Sequence, residues 1–364
     1  MLRKALALFI ALVGIAVSIG CSTQSHYLFV TLPAANQVAV YREDPIAGVL
    51  TQIKGSPYSV GDGAHSLVVH PSGKYLYVAN PGQNENDISL FAIAGNGVLT
   101  EVFPRTTVMP LGNEPELLVM DPSGDFLYVM NSASENISVF SIKASTGSLT
   151  QLAGSPFPLG LAPLNMQLTP SGKYLFVTGV GTNITSYIEA FSVNSGVLTF
   201  ANLTPSEGVN PYGLVIDTAG KYLYAGNTSS NSITIFSIGS NGALTQVVGS
   251  PLADIYNGPV ALAIDPSGQY LYVANQSSNN IAVYSITSST GLPVSLSTVT
   301  TTFAFTTESN PSVIAFDPNG GHLFVGSQGS APGIQSFQVT SGNLNPIFTY
   351  KVGNSATSIA VTPE

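Results

Sequence analysis

Tryptophan is absent from this chain of 364 residues, cysteine occurs once, and Lys and Arg together number only ten. The single Cys21 excludes an intramolecular disulfide, so stability has to come from packing. Ten basic residues against nineteen acidic ones exclude nucleic acid as a partner, because phosphate neutralisation needs clustered positive charge. Helical periodicity is missing beyond the first twenty residues, which excludes an α or α/β architecture. No Gly-x-Ser-x-Gly elbow, P-loop or dinucleotide fingerprint occurs, which removes the enzyme classes built on them.

One strand sentence is repeated instead. It reads His70-Pro-Ser-Gly-Lys-Tyr-Leu-Tyr-Val-Ala-Asn80, Asp121-Pro-Ser-Gly-Asp-Phe-Leu-Tyr-Val-Met-Asn131, Thr169-Pro-Ser-Gly-Lys-Tyr-Leu-Phe-Val-Thr-Gly179 and Asp265-Pro-Ser-Gly-Gln-Tyr-Leu-Tyr-Val-Ala-Asn275, with looser copies from Asp217 and Asp317. The aligned ring positions Tyr27, Tyr75, Phe126, Tyr174, Tyr222, Tyr270 and His322 are spaced by 48, 51, 48, 48, 48 and 52 residues. That period, filled with short strands and turn signals, predicts the blades of a seven-bladed β-propeller.

The seventh copy is split. His26-Tyr-Leu-Phe-Val-Thr31 begins at the second strand of the pattern, and Ser358-Ile-Ala-Val-Thr-Pro363 supplies the missing first one. One blade is therefore expected to be shared between the two ends of the chain, closing the ring and removing its exposed edges. Within each blade the third strand alternates cleanly, as in Ile281-Ala-Val-Tyr-Ser-Ile286, which predicts one packed face and one less buried face. Hairpins such as Gly97-Val-Leu-Thr100 lead to a fourth strand. The expected fold is all-β, with four-stranded antiparallel blades and one propeller domain over residues 26–364.

Residues 1–20 read as a leader: Arg3 and Lys4, then an apolar run from Ala5 to Val17, then Ser18-Ile-Gly-Cys21. The pattern is similar to a bacterial lipoprotein signal, although Ser18 stands where Leu is usual. It implies cleavage before Cys21, a lipid on that thiol, and a short tether at 21–25 holding the body to a membrane of the cell envelope, facing periplasm or exterior. An ordinary secretory signal followed by a chance Cys is the alternative. Without its first twenty residues the chain keeps eight basic and nineteen acidic residues, a formal charge of −11.

The repeated sentence, the Gly-x-Leu-Thr hairpins and the Gly-Ser-Pro loops at Gly55, Gly154 and Gly249 resemble the seven-bladed lactonase family, which includes 6-phosphogluconolactonases and has repeats similar to YVTN surface repeats. The resemblance runs from Tyr27 to the C-terminus. It implies the fold closely and an activity only loosely, since the repeat consists of packing and turn residues.

Propeller ligands meet the loops that enter the innermost strands. Six positions before each turn proline or its equivalent stand His65, Glu116, Leu164, Tyr212, Val260, Ser312 and Thr357. The resemblance implies lactone chemistry with His, Arg and Glu around a central funnel. His65 would be the base and Glu116 its acidic partner, with Asn165, Tyr212 and Ser312 contacting substrate. The plainer reading is that His65 only caps a loop.

Carboxylates gather before the same strands at Asp62, Glu114, Glu207, Asp254 and Glu308, and basic residues there are nearly missing apart from Lys351. Phosphate recognition relies on Arg or Lys, so 6-phosphogluconolactonase activity is disfavoured. The acidic rim reads as a solvated face rather than a Ca²⁺ site, for no metal-loop spacing occurs and no cofactor is expected. His26, His70 and His322 belong to different blades and are not expected to form a metal site. Two functions remain: hydrolysis of an unphosphorylated lactone or cyclic ester, or a non-catalytic scaffold that binds a protein or glycan through the rim. A monomer is expected in either case.

Overall fold

A computed structural model describes residues 25–82, 86–107, 112–253, 256–302, 310–329 and 332–363. The leader at 1–20, Cys21, Asp254 and Glu308 lie outside the described residues. Among those described, the strands form seven antiparallel sheets, and the only helical element is the short 3₁₀ turn Pro33–Ala35. A blade runs from an inner strand outward, as in blade 2 with Ser66–Val69, Tyr75–Asn80, Asp87–Ile93 and Leu99–Thr107. Blade 1 joins Tyr27–Leu32, Gln37–Glu43 and Leu50–Gln52 to Ile359–Val361 at its inner edge, with Leu28 opposite Val361 and Val30 opposite Ile359. The ring is thus closed by strands from both ends of the chain.

Seven hydrophobic clusters fill the seven gaps between neighbouring blades. The Tyr-Leu-Tyr-Val strand explains how. Leu76 and Val78 enter the cluster shared with blade 1, while Tyr77 and Ala79 enter the cluster shared with blade 3. Period-two alternation therefore sends side chains to two different cores. This corrects the expectation of a less buried face on the third strand: the first five residues of Ile88's strand, Asp87–Ile93, are all buried, because each sheet is sandwiched between two others.

The periodic ring position joins each blade to the next. Tyr27 lies over Gly97, Tyr75 over Gly147 and Tyr270 over Gly342, and His322 closes the circle over Gly48. These glycines turn the hairpin between third and outer strands at φ 78°, 72°, 81° and 62°, where an L side chain is disfavoured. A Cβ on Gly97 would stand 2.3 Å from the Tyr27 ring. The Gly-Ser-Pro loops have a separate purpose. They interrupt the outer strand in blades 1, 3 and 5, and the Ser hydroxyl accepts the third-strand N–H left unpaired there: Val40 to Ser56, Val139 to Ser155 and Ile235 to Ser250, at 2.8, 2.8 and 2.7 Å.

Blades 1 and 7 meet at a polar seam. His26 and His322 were expected to stay apart because they sit in different blades, but ring closure makes those blades neighbours, and both histidines face Glu43. Burial lowers the pKa of His322, yet hydrogen bonds to Asp317 and Glu43 and the charge of both raise it more, to about 9. His70 lies elsewhere, between Ser72 Oγ at 2.8 Å and Gly124 O at 3.0 Å.

Candidate functional site

Inner strands begin at one end of the ring, and there the structure opens a funnel of about 450 Å³. All seven positions six residues before the turn line it, from His65 to Thr357, one from each blade. Such a volume suits a small organic ligand. Leu117, Met130, Leu164 and Val260 make part of the wall apolar, and His65 and Glu116 are the ionisable side chains, apart from the Tyr212 phenol, among the described lining residues.

The funnel wall is held by side chains that donate to the backbone of the following blade. Thr357 Oγ1 donates to His65 O at 2.7 Å, and Ser312 Oγ donates to Ala356 O at 2.8 Å. Asn165 Nδ2 donates to Tyr212 O at 2.5 Å, and Thr228 Oγ1 to Pro259 O at 2.8 Å. All run in the same rotational sense. His65 takes part through its ring, with Nδ1 lying 3.0 Å from the backbone oxygen of Glu116. A carbonyl can only accept, so Nδ1 carries a proton, and in the neutral ring the lone pair is on Nε2. The partner is thus the Glu116 main chain, and among the described residues the Glu116 carboxylate forms no bond in this set.

A family described as lactonase, seven-bladed β-propeller, matches residues 19–160, 162–255 and 220–301. The chain belongs to this family. It is 39% identical over 94 residues to a 6-phosphogluconolactonase of Formosa agariphila, a match that spans 25% of the chain and 26% of that protein. The chain therefore matches about a quarter of that relative's length. A Bacteroides fragilis protein described as a 6-phosphogluconolactonase candidate superposes with a TM-score of 0.78 at 20% identity, over 93% of this chain and 98% of its own. A periplasmic gluconolactonase of Pseudomonas aeruginosa gives 0.76 at 18%, over 93% and 99%. At such identities the likeness to these structures is one of fold.

Within this lactonase-family propeller the remaining candidates divide. The Ser312 proton is committed to Ala356, so its hydroxyl can only accept from a ligand. Asn165 retains one N–H and its carbonyl, and Tyr212 is 42% exposed. Of the rim carboxylates, Asp62 accepts from Asn36 Nδ2 at 2.9 Å, and Glu114 and Glu207 are exposed at left-handed φ values of 57° and 56°. Arg105 is engaged by Glu101 at 2.6 Å and lies 3.9 Å from Asp87, and Lys351 ends an outer strand. No Lys or Arg is among the described residues lining the funnel.

Sequence reasoning missed Thr228, Gln276 and Gln328, which also line the funnel. Each directly follows the last residue of a second strand, Asn227, Asn275 or Ser327. The second strand runs antiparallel to the inner one, so its C-terminal end arrives at the same rim. Position directly after the repeated second-strand ending, Ala-Gly-Asn227, Val-Ala-Asn275 or Val-Gly-Ser327, was the available signal.

Proposed function

We propose that this lactonase-family propeller hydrolyses an unphosphorylated lactone in its funnel, with His65 Nε2 as general base. The observation that carries the reading is the bond from His65 Nδ1 to Glu116 O, which makes Nε2 the ring nitrogen that takes up a proton when the imidazole is neutral. A water proton passes to Nε2 while the water oxygen adds to the lactone carbonyl carbon. The ring C–O bond then breaks, and the departing alkoxide takes the proton back from the imidazolium, yielding a hydroxy acid. The Glu116 carboxylate, lining the same funnel, favours the transient imidazolium. Side-chain amides of Asn165, Gln276 and Gln328 and the Tyr212 hydroxyl are the donors available to the developing oxyanion.

The lining without Lys or Arg supports an unphosphorylated substrate, since a phosphate would enter the funnel uncompensated. The Pseudomonas aeruginosa relative, named a gluconolactonase, is in keeping with that class. The experiment is hydrolysis of a panel of phosphorylated and unphosphorylated lactones by wild type, His65→Ala and Glu116→Ala. Turnover of an unphosphorylated lactone that His65→Ala lowers by a hundredfold or more supports the reading. A folded wild type that turns over no lactone replaces it with a scaffold that binds protein or glycan.

We also propose that Cys21 carries a lipid and ties the propeller to a membrane of the cell envelope, as the Arg3 to Cys21 pattern indicates. Fractionation of cells expressing wild type and Cys21→Ser tests this. Wild type that is soluble after signal cleavage would overturn it.

A further inference from the structure

At the end of the ring opposite the funnel, where blade 7 meets blade 1, two histidines and two carboxylates are buried together: His26 at 1% exposure, Glu43 at 0%, Asp317 at 3% and His322 at 3%. Blade architecture does not call for them. Glu43 donates its backbone N–H to His26 O at 2.8 Å, and the residues making the same bond in other blades include Ile93, Ile142, Ile238 and Ile286. A carboxylate stands where a blade needs only a branched apolar side chain. Burying it is costly unless it is paired or coordinated.

His322 ties one oxygen of each carboxylate. Its Nδ1 lies 2.9 Å from Glu43 Oε1, and its backbone N–H donates to Asp317 Oδ1 at 2.8 Å. Of the second oxygens, Asp317 Oδ2 lies 3.7 Å from the same Nδ1. Glu43 Oε2 is buried, accepts no hydrogen bond among the described residues, and lies 3.6 Å from His26 Nδ1. Ligand atoms of His26, Glu43 and Asp317, one from each, all fall within 4.8 Å of one another.

We propose that His26, Glu43 and Asp317 bind a divalent transition metal of the Zn²⁺ class at the ring seam. One imidazole and two carboxylates form a nitrogen and oxygen donor set suited to Zn²⁺, whereas Ca²⁺ prefers six or more oxygens. The ion neutralises both buried carboxylates, and His322 keeps its Nδ1–H on Glu43 as a positioning residue outside the ligand set. Its role is structural, because His26 directly precedes the strand Tyr27–Leu32, Glu43 ends Gln37–Glu43, and Asp317 follows Pro311–Phe316 in the last blade. A bound ion fastens the two together, independently of what the funnel does.

The test is calorimetric titration of the chelator-treated full chain with Zn²⁺, with Ca²⁺ as control, and visible absorption of the Co²⁺-loaded protein. The expected result is one Zn²⁺ per chain, a raised Tm, and Co²⁺ ligand-field bands. Glu43→Ile, which installs the residue used in sister blades, should fold cooperatively and lose at least about a hundredfold in affinity, as should Asp317→Asn. His322→Gln should lose about 10-fold to 100-fold, the range for an outer partner. A folded wild type without stoichiometric Zn²⁺ uptake, or uptake unchanged in both Glu43→Ile and Asp317→Asn, overturns the site.

Discussion

His65 binds Glu116 through the main chain: its Nδ1–H points to the Glu116 carbonyl oxygen 3.0 Å away and not to the carboxylate. Any side chain at position 116 leaves that carbonyl in place, so the orientation and tautomer of His65 are insulated from substitution there. If the funnel is catalytic, Glu116→Gln should keep most of the activity, within about tenfold, while His65→Ala should lower kcat/KM by about 10² to 10⁴. Steady-state kinetics on the best lactone would separate the two. Equal losses would show that the carboxylate itself takes part in the chemistry.

The blades contain a built-in experiment on buried hydroxyls. Tyr77 and Tyr224 donate to Gly147 O and Gly291 O at 2.7 and 2.8 Å, whereas the hydroxyls of Tyr128 and Tyr272, at the same strand position, are buried with no hydrogen-bond partner among the described residues. Blades 1, 4 and 7 already use Phe29, Phe176 and Phe324 there. Tyr77→Phe should lower the unfolding free energy by about 1 kcal/mol, and Tyr128→Phe should raise it by a similar amount. Urea unfolding of the pair would decide, and a loss in both would contradict the orphan assignment.

Glu189 is 4% exposed and occupies, with Gly179, the slot filled in sister blades by pairs such as Asn80 and Ser89. Burial raises its pKa, and the Gly160 N–H donated to Oε1 at 2.8 Å only partly opposes that. The folded state thus holds this proton more tightly than the unfolded chain. Its contribution is fully present below the unfolded pKa of about 4.3 and is lost as pH rises through the higher folded value. Stability in mildly acidic buffer should fall with rising pH, and Glu189→Gln should flatten that slope and stabilise the protein at neutral pH. Chemical denaturation across pH 4 to 7 would measure it.

Gly147→Ala should destabilise by about 2–4 kcal/mol, because a side chain is forced into left-handed backbone and into the Tyr75 ring, 2.7 Å from its Cβ. Gly154, also at positive φ but with open space around it, is the control: Gly154→Ala should cost only the backbone part, about 1–2 kcal/mol. Similar Tm losses in both would mean that ring contact adds nothing.

Spacing made much of this architecture legible. A period near 48 placed the rings that close on glycines, and the half-copies at Tyr27 and Ser358 anticipated the pairing of Leu28 with Val361. Counting back from the turn located the residues that line the funnel. What periodicity does not carry is the direction of a side chain between blades. Nothing in the sequence tells that Ser312 turns its proton to Ala356, or that His65 uses a backbone oxygen. Nor does it show that His26 and His322, 296 residues apart, share one carboxylate, since that contact exists only once the circle is complete.

A ribosome delivers Tyr27–Leu32 long before Ile359–Val361, so six blades can stack while the first waits with its inner edge bare. Thr357, which supplies one funnel wall and holds the carbonyl of His65, emerges only two residues before that final strand. A nascent chain therefore cannot finish its own binding site early. Whatever the funnel does, it starts only once Ile359–Val361 has been made.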